Sequence, residues 1–118
     1  MPKTTTKTDQ IVRQTKIRDL NDAFRQTLTG GSLMITAGVM ALETIAQGRI
    51  IDAVRTFTAF DDGNDPYGEH DFGSVEIDDE RLFFKIDYYD LTRAMHSPDA
   101  ANPAVTERVM TIMLADEY

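Results

Sequence analysis

The chain carries 118 residues, 42% hydrophobic and 27% charged, the make-up of an ordinary globular domain with room for one core. It has no cysteine, which removes disulfides, thiolate catalysis and zinc–thiolate sites, and no apolar run of the ~18 residues a membrane helix needs. The net charge of −8 is uneven: residues 1–60 hold eight basic and five acidic side chains, and residues 61–118 hold four and fifteen.

The start, Met1-Pro2-Lys3-Thr4-Thr5-Thr6-Lys7, has positive charge but no apolar segment behind it. It is therefore not read as a secretory signal, and residues 1–8 are expected to form a disordered tail before a single domain over 9–118. With no cysteine, a cytoplasmic location is the expectation. A first helix is predicted over 9–28, because Ile17, Leu20, Phe24 and Leu28 recur at helical spacing. Thr29-Gly30-Gly31 ends it, and Ser32-Leu33-Met34-Ile35-Thr36 reads as a short strand, apolar on both faces and so expected at a central position. Thr44-Ile45-Ala46-Gln47 has capping-box spacing and starts a second helix, with Ile45, Ile50, Val54 and Phe57 as its apolar face.

Residues 61–68 form a loop, since Asp-Gly and Asn-Asp-Pro punctuate chains as turns. Two strands, 72–77 and 81–89, follow as a hairpin. The expected register sets Ile77 opposite Leu82, Val75 opposite Phe84 and Gly73 opposite Ile86. Val75, Ile77, Leu82, Phe84, Ile86 and Tyr88 then share an apolar side, with Ser74, Glu76, Arg81, Lys85 and Asp87 on the other. Asn102-Pro103 opens a last helix carrying Val105, Val109, Ile112 and Met113; the run 110–114 also fits a strand, but the start signals favour helix. The whole is an α+β domain, a small and mainly antiparallel sheet with a β-hairpin packed by three helices in the order α-β-α-β-β-α.

Three segments are too particular for generic loop: Asn64-Asp65-Pro66-Tyr67-Gly68-Glu69-His70-Asp71-Phe72-Gly73, Lys85-Ile86-Asp87-Tyr88-Tyr89-Asp90, and Thr111-Ile112-Met113-Leu114-Ala115-Asp116-Glu117-Tyr118. Together with Leu20-Asn21-Asp22, Phe24-Arg25 and Gly30-Gly31, they resemble the bacterial family of domain of unknown function 3768, over roughly residues 10–118. The resemblance implies short bacterial proteins, often from alphaproteobacteria and mobile elements, with no assigned activity. It supplies no functional residue to carry over. Phe60-Asp61-Asp62-Gly63 departs from the family's usual spelling.

His70 between Glu69 and Asp71 invites an acid–base or metal reading. In an extended segment, however, neighbouring side chains alternate, so His70 shares a face with Phe72 while Glu69 and Asp71 share the other. Those two carboxylates, with Asp65 or Asp61, could hold a hard cation, although the spacing matches no EF-hand. The structural alternative is a turn built by Asp65, Pro66 and Gly68, with His70 or an acid bonding the loop backbone. His96 beside Ser97 makes no dyad by adjacency, and Gly30-Gly31 is no phosphate loop. Phe83 and Tyr89 fall on the polar side of the sheet, where they either anchor a partner or are covered by helix one or three.

The candidate binding residues are thus Asp65, Tyr67, Glu69, His70 and Asp71; no catalytic residue, metal ligand or cofactor is assigned. Nine acids fall within 61–80 with no Lys or Arg among them, and Asp61, Asp62, Asp78, Asp79 and Glu80 are read as an acidic surface. Such a surface suits a basic protein and is unsuited to nucleic acid, whose binding relies on Lys and Arg releasing phosphate counterions. The favoured function is a non-enzymatic protein-binding module without membrane association, which could form a homodimer. One form is a mobile-element-encoded inhibitor, of anti-CRISPR or anti-restriction type, of a host nucleic-acid-binding protein. The alternative is a small metal-dependent hydrolase or ligand-binding protein using segment 64–73. Whether Glu69, His70 and Asp71 converge in one pocket or disperse discriminates the two.

Overall fold

A computed structural model describes residues 6–118. Most of the expected tail, residues 1–5, lies outside the described residues, and the first helix, α1 (Lys7–Thr27), begins two residues earlier than its apolar spacing indicates. Thr6 and Asp9 set that start through a capping box: the Thr6 hydroxyl accepts from the Asp9 N–H at 3.0 Å, and the Asp9 carboxylate accepts from the Thr6 N–H at 3.3 Å. The helix ends at Leu28, which itself takes the left-handed conformation (φ 59°) ahead of the glycines. Ile17 and Phe24 are buried as the spacing requires, and Asn21 and Arg25 are buried beside them.

Strand β1 (Ser32–Ile35) leads into a single turn, α2 (Ala37–Met40), that the sequence reading lacks, and then α3 (Thr44–Arg55). The expected capping box does not form: Glu43 is the N-cap, and neither it nor Thr44 makes a side-chain cap bond. Gln47 instead donates its amide to the Met40 and Leu42 carbonyls at 3.1 and 2.9 Å, tying α3 back to α2. Ile45 is 77% exposed, so the buried face of α3 is made by Ile50 and Val54, with Ile51 and Phe57 partly covered.

The hairpin of β2 (Phe72–Ile77) and β3 (Glu80–Tyr89) forms with a register two residues from the expected one. Ile77 opposes Glu80, Val75 opposes Leu82 and Gly73 opposes Phe84. Asp78 and Asp79 make a two-residue turn with φ of 51° and 65°, the left-handed pair whose twist matches that of the flanking strands. A slip of two preserves the side-chain period, so every residue keeps its assigned face. Leu82, Phe84 and Ile86 are buried on the helix side.

The last segment corrects the sequence reading. Asn102-Pro103 caps only a 3₁₀ turn, Pro103–Val105, after which Glu107–Leu114 is a strand, β4, and not a helix. The observed order is α-β-α-α-β-β-β. The Asn102 side-chain oxygen Oδ1 accepts the Ala104 N–H at 3.0 Å, a cap that satisfies one turn and carries no information beyond it. Val109, Met110, Ile112 and Met113 are all buried, because β4 lies inside a sheet of order β1-β4-β3-β2 and both its faces are covered. It pairs antiparallel with β3 and parallel with β1, so the sheet is mixed. β1 is therefore an edge strand rather than a central one; Leu33 and Ile35 pack on the core, while Met34 is 55% exposed on the other face.

The core sits between the sheet and the helices. Arg25 joins α1 to the end of α3 by donating to the Val54, Arg55 and Phe57 carbonyls at 3.0–3.2 Å, at a helix terminus where carbonyls run short of intrahelical donors. Gly73 is required beneath this layer: a Cβ there would fall 2.6 Å from Cζ of Phe84 and 2.9 Å from Phe57. Its absence lets the Phe57, Phe60 and Phe84 rings pack edge to face, with centroids 4.8–6.3 Å apart.

Candidate functional site

Segment 57–71 is irregular, and its polar side chains hold it together. The Asp61 carboxylate accepts from the Gly63 and Asn64 N–H groups, each at 2.9 Å. Asp65 is buried and accepts from the Glu69 and His70 N–H groups at 3.0 and 3.1 Å. These are Asx-type turns, in which a short carboxylate replaces a backbone acceptor.

His70 has φ of 56°, and this left-handed residue interrupts the alternation expected across an extended segment. Its ring stacks on Phe60 with centroids 3.9 Å apart and planes 3° from parallel. Nδ1 donates to the Asp22 carboxylate at 2.9 Å, and Nε2 lies 3.6 Å from an Asp65 oxygen. Asp22 also accepts from Arg25 at 3.0 Å, so the loop is tied to α1 by a shared carboxylate.

Glu69 takes another direction. Its carboxylate accepts from the Tyr88 hydroxyl at 2.9 Å, and its carbonyl accepts from the Asn21 amide at 3.0 Å. Asn21 also donates to the Tyr88 oxygen at 2.7 Å and accepts from Arg108 Nε at 2.9 Å, while Arg108 bonds the Ala100 carbonyl. Burial pushes the Tyr88 phenol far above its ordinary range and draws the Arg108 guanidinium down from its own, the latter opposed by Tyr88 and Glu69. This buried polar network joins α1, β3, β4 and the loop.

Asp71 belongs to neither set. It lines a groove of about 340 Å³ whose walls include Tyr67, Phe72, Lys85, Asp87 and Tyr118. Burial raises the Asp71 carboxyl above the usual range; Glu69 adds to the rise, and the residue's own backbone N–H opposes it. Lys85 is committed to Asp87 at 3.0 Å. Phe72, Phe83 and Tyr118 pack together with centroids 5.2–5.9 Å apart, so Phe83 is covered by two rings on the outer face and not by a helix.

Glu69, His70 and Asp71 therefore disperse into three different environments. Among the described residues, no group of three His, Asp or Glu side chains is placed to hold one metal ion. The acidic residues divide as well. Asp61 and Asp62 sit in the loop before β2, while Asp78, Asp79 and Glu80 occupy the hairpin at its far end, with six residues (about 20 Å) of strand between. Asp78 pairs with Arg49 at 2.8 Å, whereas Asp62, Asp79 and Glu80 are exposed and outside every ion pair among the described residues.

The sequence reading missed Asn21 and Arg108 as a buried pair, and it missed the groove. Nothing in an apolar strand marks Arg108 as a partner of α1. The groove had a signal, since its walls come from the three segments that carry the family resemblance: Tyr67, Asp71 and Phe72 from the first, Lys85 and Asp87 from the second, Tyr118 from the third.

Fold and site define a small α+β domain with a four-stranded mixed sheet and a polar loop folded onto one end of its hairpin. The family described as Protein of unknown function (DUF3768) matches residues 35–117, well over half of the chain, and the protein belongs to that family. Segment 20–31, part of the resemblance seen in the sequence, lies outside the match. No curated protein matches the chain, and no solved structure does. Among the described residues no helix is long and apolar enough to cross a membrane.

Proposed function

We propose that this protein is a non-enzymatic binding module that meets a basic protein surface through its acidic side chains, in the cytoplasm. One observation carries the reading: apart from Asp71, the residues that look catalytic in sequence are spent on internal bonds, and several of the remaining acids have no ion-pair partner among the described residues. Asp65, Glu69 and His70 each bond the loop, α1 or Tyr88. Asp62, Asp79 and Glu80 project to solvent without a cation beside them among the described residues.

An inhibitor of a host nucleic-acid-binding protein, carried by a mobile element, is the specific form this takes. Carboxylates spaced along a protein surface compete for a basic groove that otherwise holds phosphates, which lie about one charge per ~1.7 Å of duplex axis. The protein itself would bind neither DNA nor RNA. Charges of this kind act mainly on the rate of encounter, and salt screens them over about 8 Å at physiological strength.

The test is affinity capture from the native host, followed by association kinetics with the purified partner across a salt series. The triple variant Asp62→Asn, Asp79→Asn, Glu80→Gln should associate more slowly at low salt and keep its circular dichroism. An unchanged rate at every salt concentration would overturn the proposal.

A further inference from the structure

We infer that the groove between Tyr67 and Tyr118 grips a single arginine side chain presented by a basic protein partner. The inference rests on the binding-module reading and names the contact by which the partner is held.

Three features of the groove define its occupant. Tyr67 and Tyr118 are 68% and 76% exposed, so two π faces stand open at its rim. Asp71 lines the same groove, half-buried, with no cation within ion-pair distance among the described residues and no donor from another side chain. Lys85, the cation that lines the groove, is already bonded to Asp87, which leaves the Asp71 charge uncompensated.

A half-buried carboxylate without a partner beside aromatic rings is complementary to a cation with an apolar stem. Arginine meets this better than lysine: its planar guanidinium stacks on aromatic faces, offers paired N–H donors to a carboxylate and is more weakly hydrated than an ammonium. The loop that carries Asp62 also supplies Asn64 and Pro66 to the groove wall, which sets that acid two residues along the chain from the groove.

The experiment titrates the intact protein with acetyl-Gly-Arg-Gly-amide, followed by chemical-shift changes in ¹H–¹⁵N spectra. Three reference peptides replace Arg by citrulline, by Lys or by Gln. Shifts should map to residues 64–72, 85–87 and 118, and the citrulline and Gln peptides should bind roughly tenfold more weakly or not at all. The Lys peptide should fall between. Asp71→Asn and Tyr118→Ala should each weaken the Arg peptide by about tenfold, with Tyr118→Phe restoring binding.

Glu43→Gln, exposed at the start of α3 and outside the groove wall, serves as the control and should change nothing. Equal binding of arginine and citrulline peptides, shifts mapping elsewhere, or no effect of Asp71→Asn would overturn the assignment. Failure here would leave the salt-dependent association through Asp62, Asp79 and Glu80 standing on its own measurement. Loss of that salt dependence, with arginine binding retained, would remove the acidic-surface reading instead.

Discussion

Replacing Phe84 by alanine tests the architecture where it is most densely packed. The ring has no solvent exposure, lies 5.3 Å from Phe57 and 6.3 Å from Phe60 between centroids, and has the Arg25 guanidinium 5.9 Å away. It also fills the space above Gly73 that any side chain there would occupy. Truncation removes the transfer energy of a phenyl group and leaves a cavity walled by a strand and two rings that cannot collapse independently, so the cost should be about 3–5 kcal/mol. At roughly 4 °C per kcal/mol for a domain of this size, the melting temperature should fall by about 12–20 °C. Phe83, one residue along, faces the other way and packs on Phe72 and Tyr118 at a half-open surface. Phe83→Ala should cost less than half as much. Urea unfolding followed by far-ultraviolet circular dichroism measures both, with an unchanged m-value showing that the same surface unfolds. Equal losses for the two variants would refute the facing of β3 on which the whole layer arrangement depends.

Asp79→Gly should stabilise the fold by about 0.5–1 kcal/mol, read in the same urea assay, because Asp79 holds φ of 65° where glycine has no Cβ penalty. Asp71→Asn should raise the melting temperature at pH 7. Folding lifts the Asp71 pKa above its ordinary 3.8, so the ionised carboxylate opposes folding at neutral pH, and the gain should vanish as the pH falls below 3.8 and both states are protonated. Millimolar calcium, magnesium or manganese should leave the melting temperature of the wild-type protein unmoved. A site binding the native state would add around 2.7 kcal/mol at about 100 times its dissociation constant, a shift of several degrees in a thermal scan.

The limits of the sequence lie at identifiable residues. α1 and the hairpin were legible because their periods are local: Ile17 and Phe24 mark one face of a helix, and alternation from Val75 to Tyr88 marks one face of a sheet. Register was missed because both candidate registers preserve that alternation, and the turn chemistry of Asp78 and Asp79 decides between them. β4 was missed because Asn102 and Pro103 are true start signals for a turn that stops at Val105. The apolar run beyond it, Val109 to Met113, is buried on both faces, and periodicity alone does not separate a buried strand from a buried helix. The edge position of β1 depends on a parallel pairing with β4, some 75 residues away in the chain, which no local pattern announces. In segment 64–73 the turn was legible, with Asp65 bonding the Glu69 and His70 N–H groups, whereas the side-chain partners of Glu69 and His70 were not. His70 takes a left-handed backbone, so the face assignments that follow from an extended chain do not apply to it.

The bonds of this loop also bear on how firmly the walls of the proposed arginine groove are built. Tyr67 stands in an irregular loop and Tyr118 follows a single 3₁₀ turn, Ala115–Glu117, and short segments of this kind ordinarily lose binding energy to ordering. Here each is fixed by a carboxylate placed beside it. Tyr67 rides on a turn whose backbone N–H groups are taken by Asp65, and that turn is tied to α1 through His70 and Asp22. Tyr118 follows Glu117, whose carboxylate accepts from the Thr36 hydroxyl at 2.6 Å and from the Leu114 and Gly38 N–H groups at 2.8 and 3.0 Å, bonds that hold it ionised below the usual carboxylate range. Asp71 is set by its own carbonyl, which accepts the Ile86 N–H at 2.8 Å beside the β2–β3 ladder. The backbone that carries the two tyrosines and Asp71 is therefore held in place from separate parts of the chain and through separate bonds. Of the acids that sequence inspection marks as candidate chemistry, Asp65 and Glu69 act as fasteners of the fold, and Asp71 is left to the proposed contact.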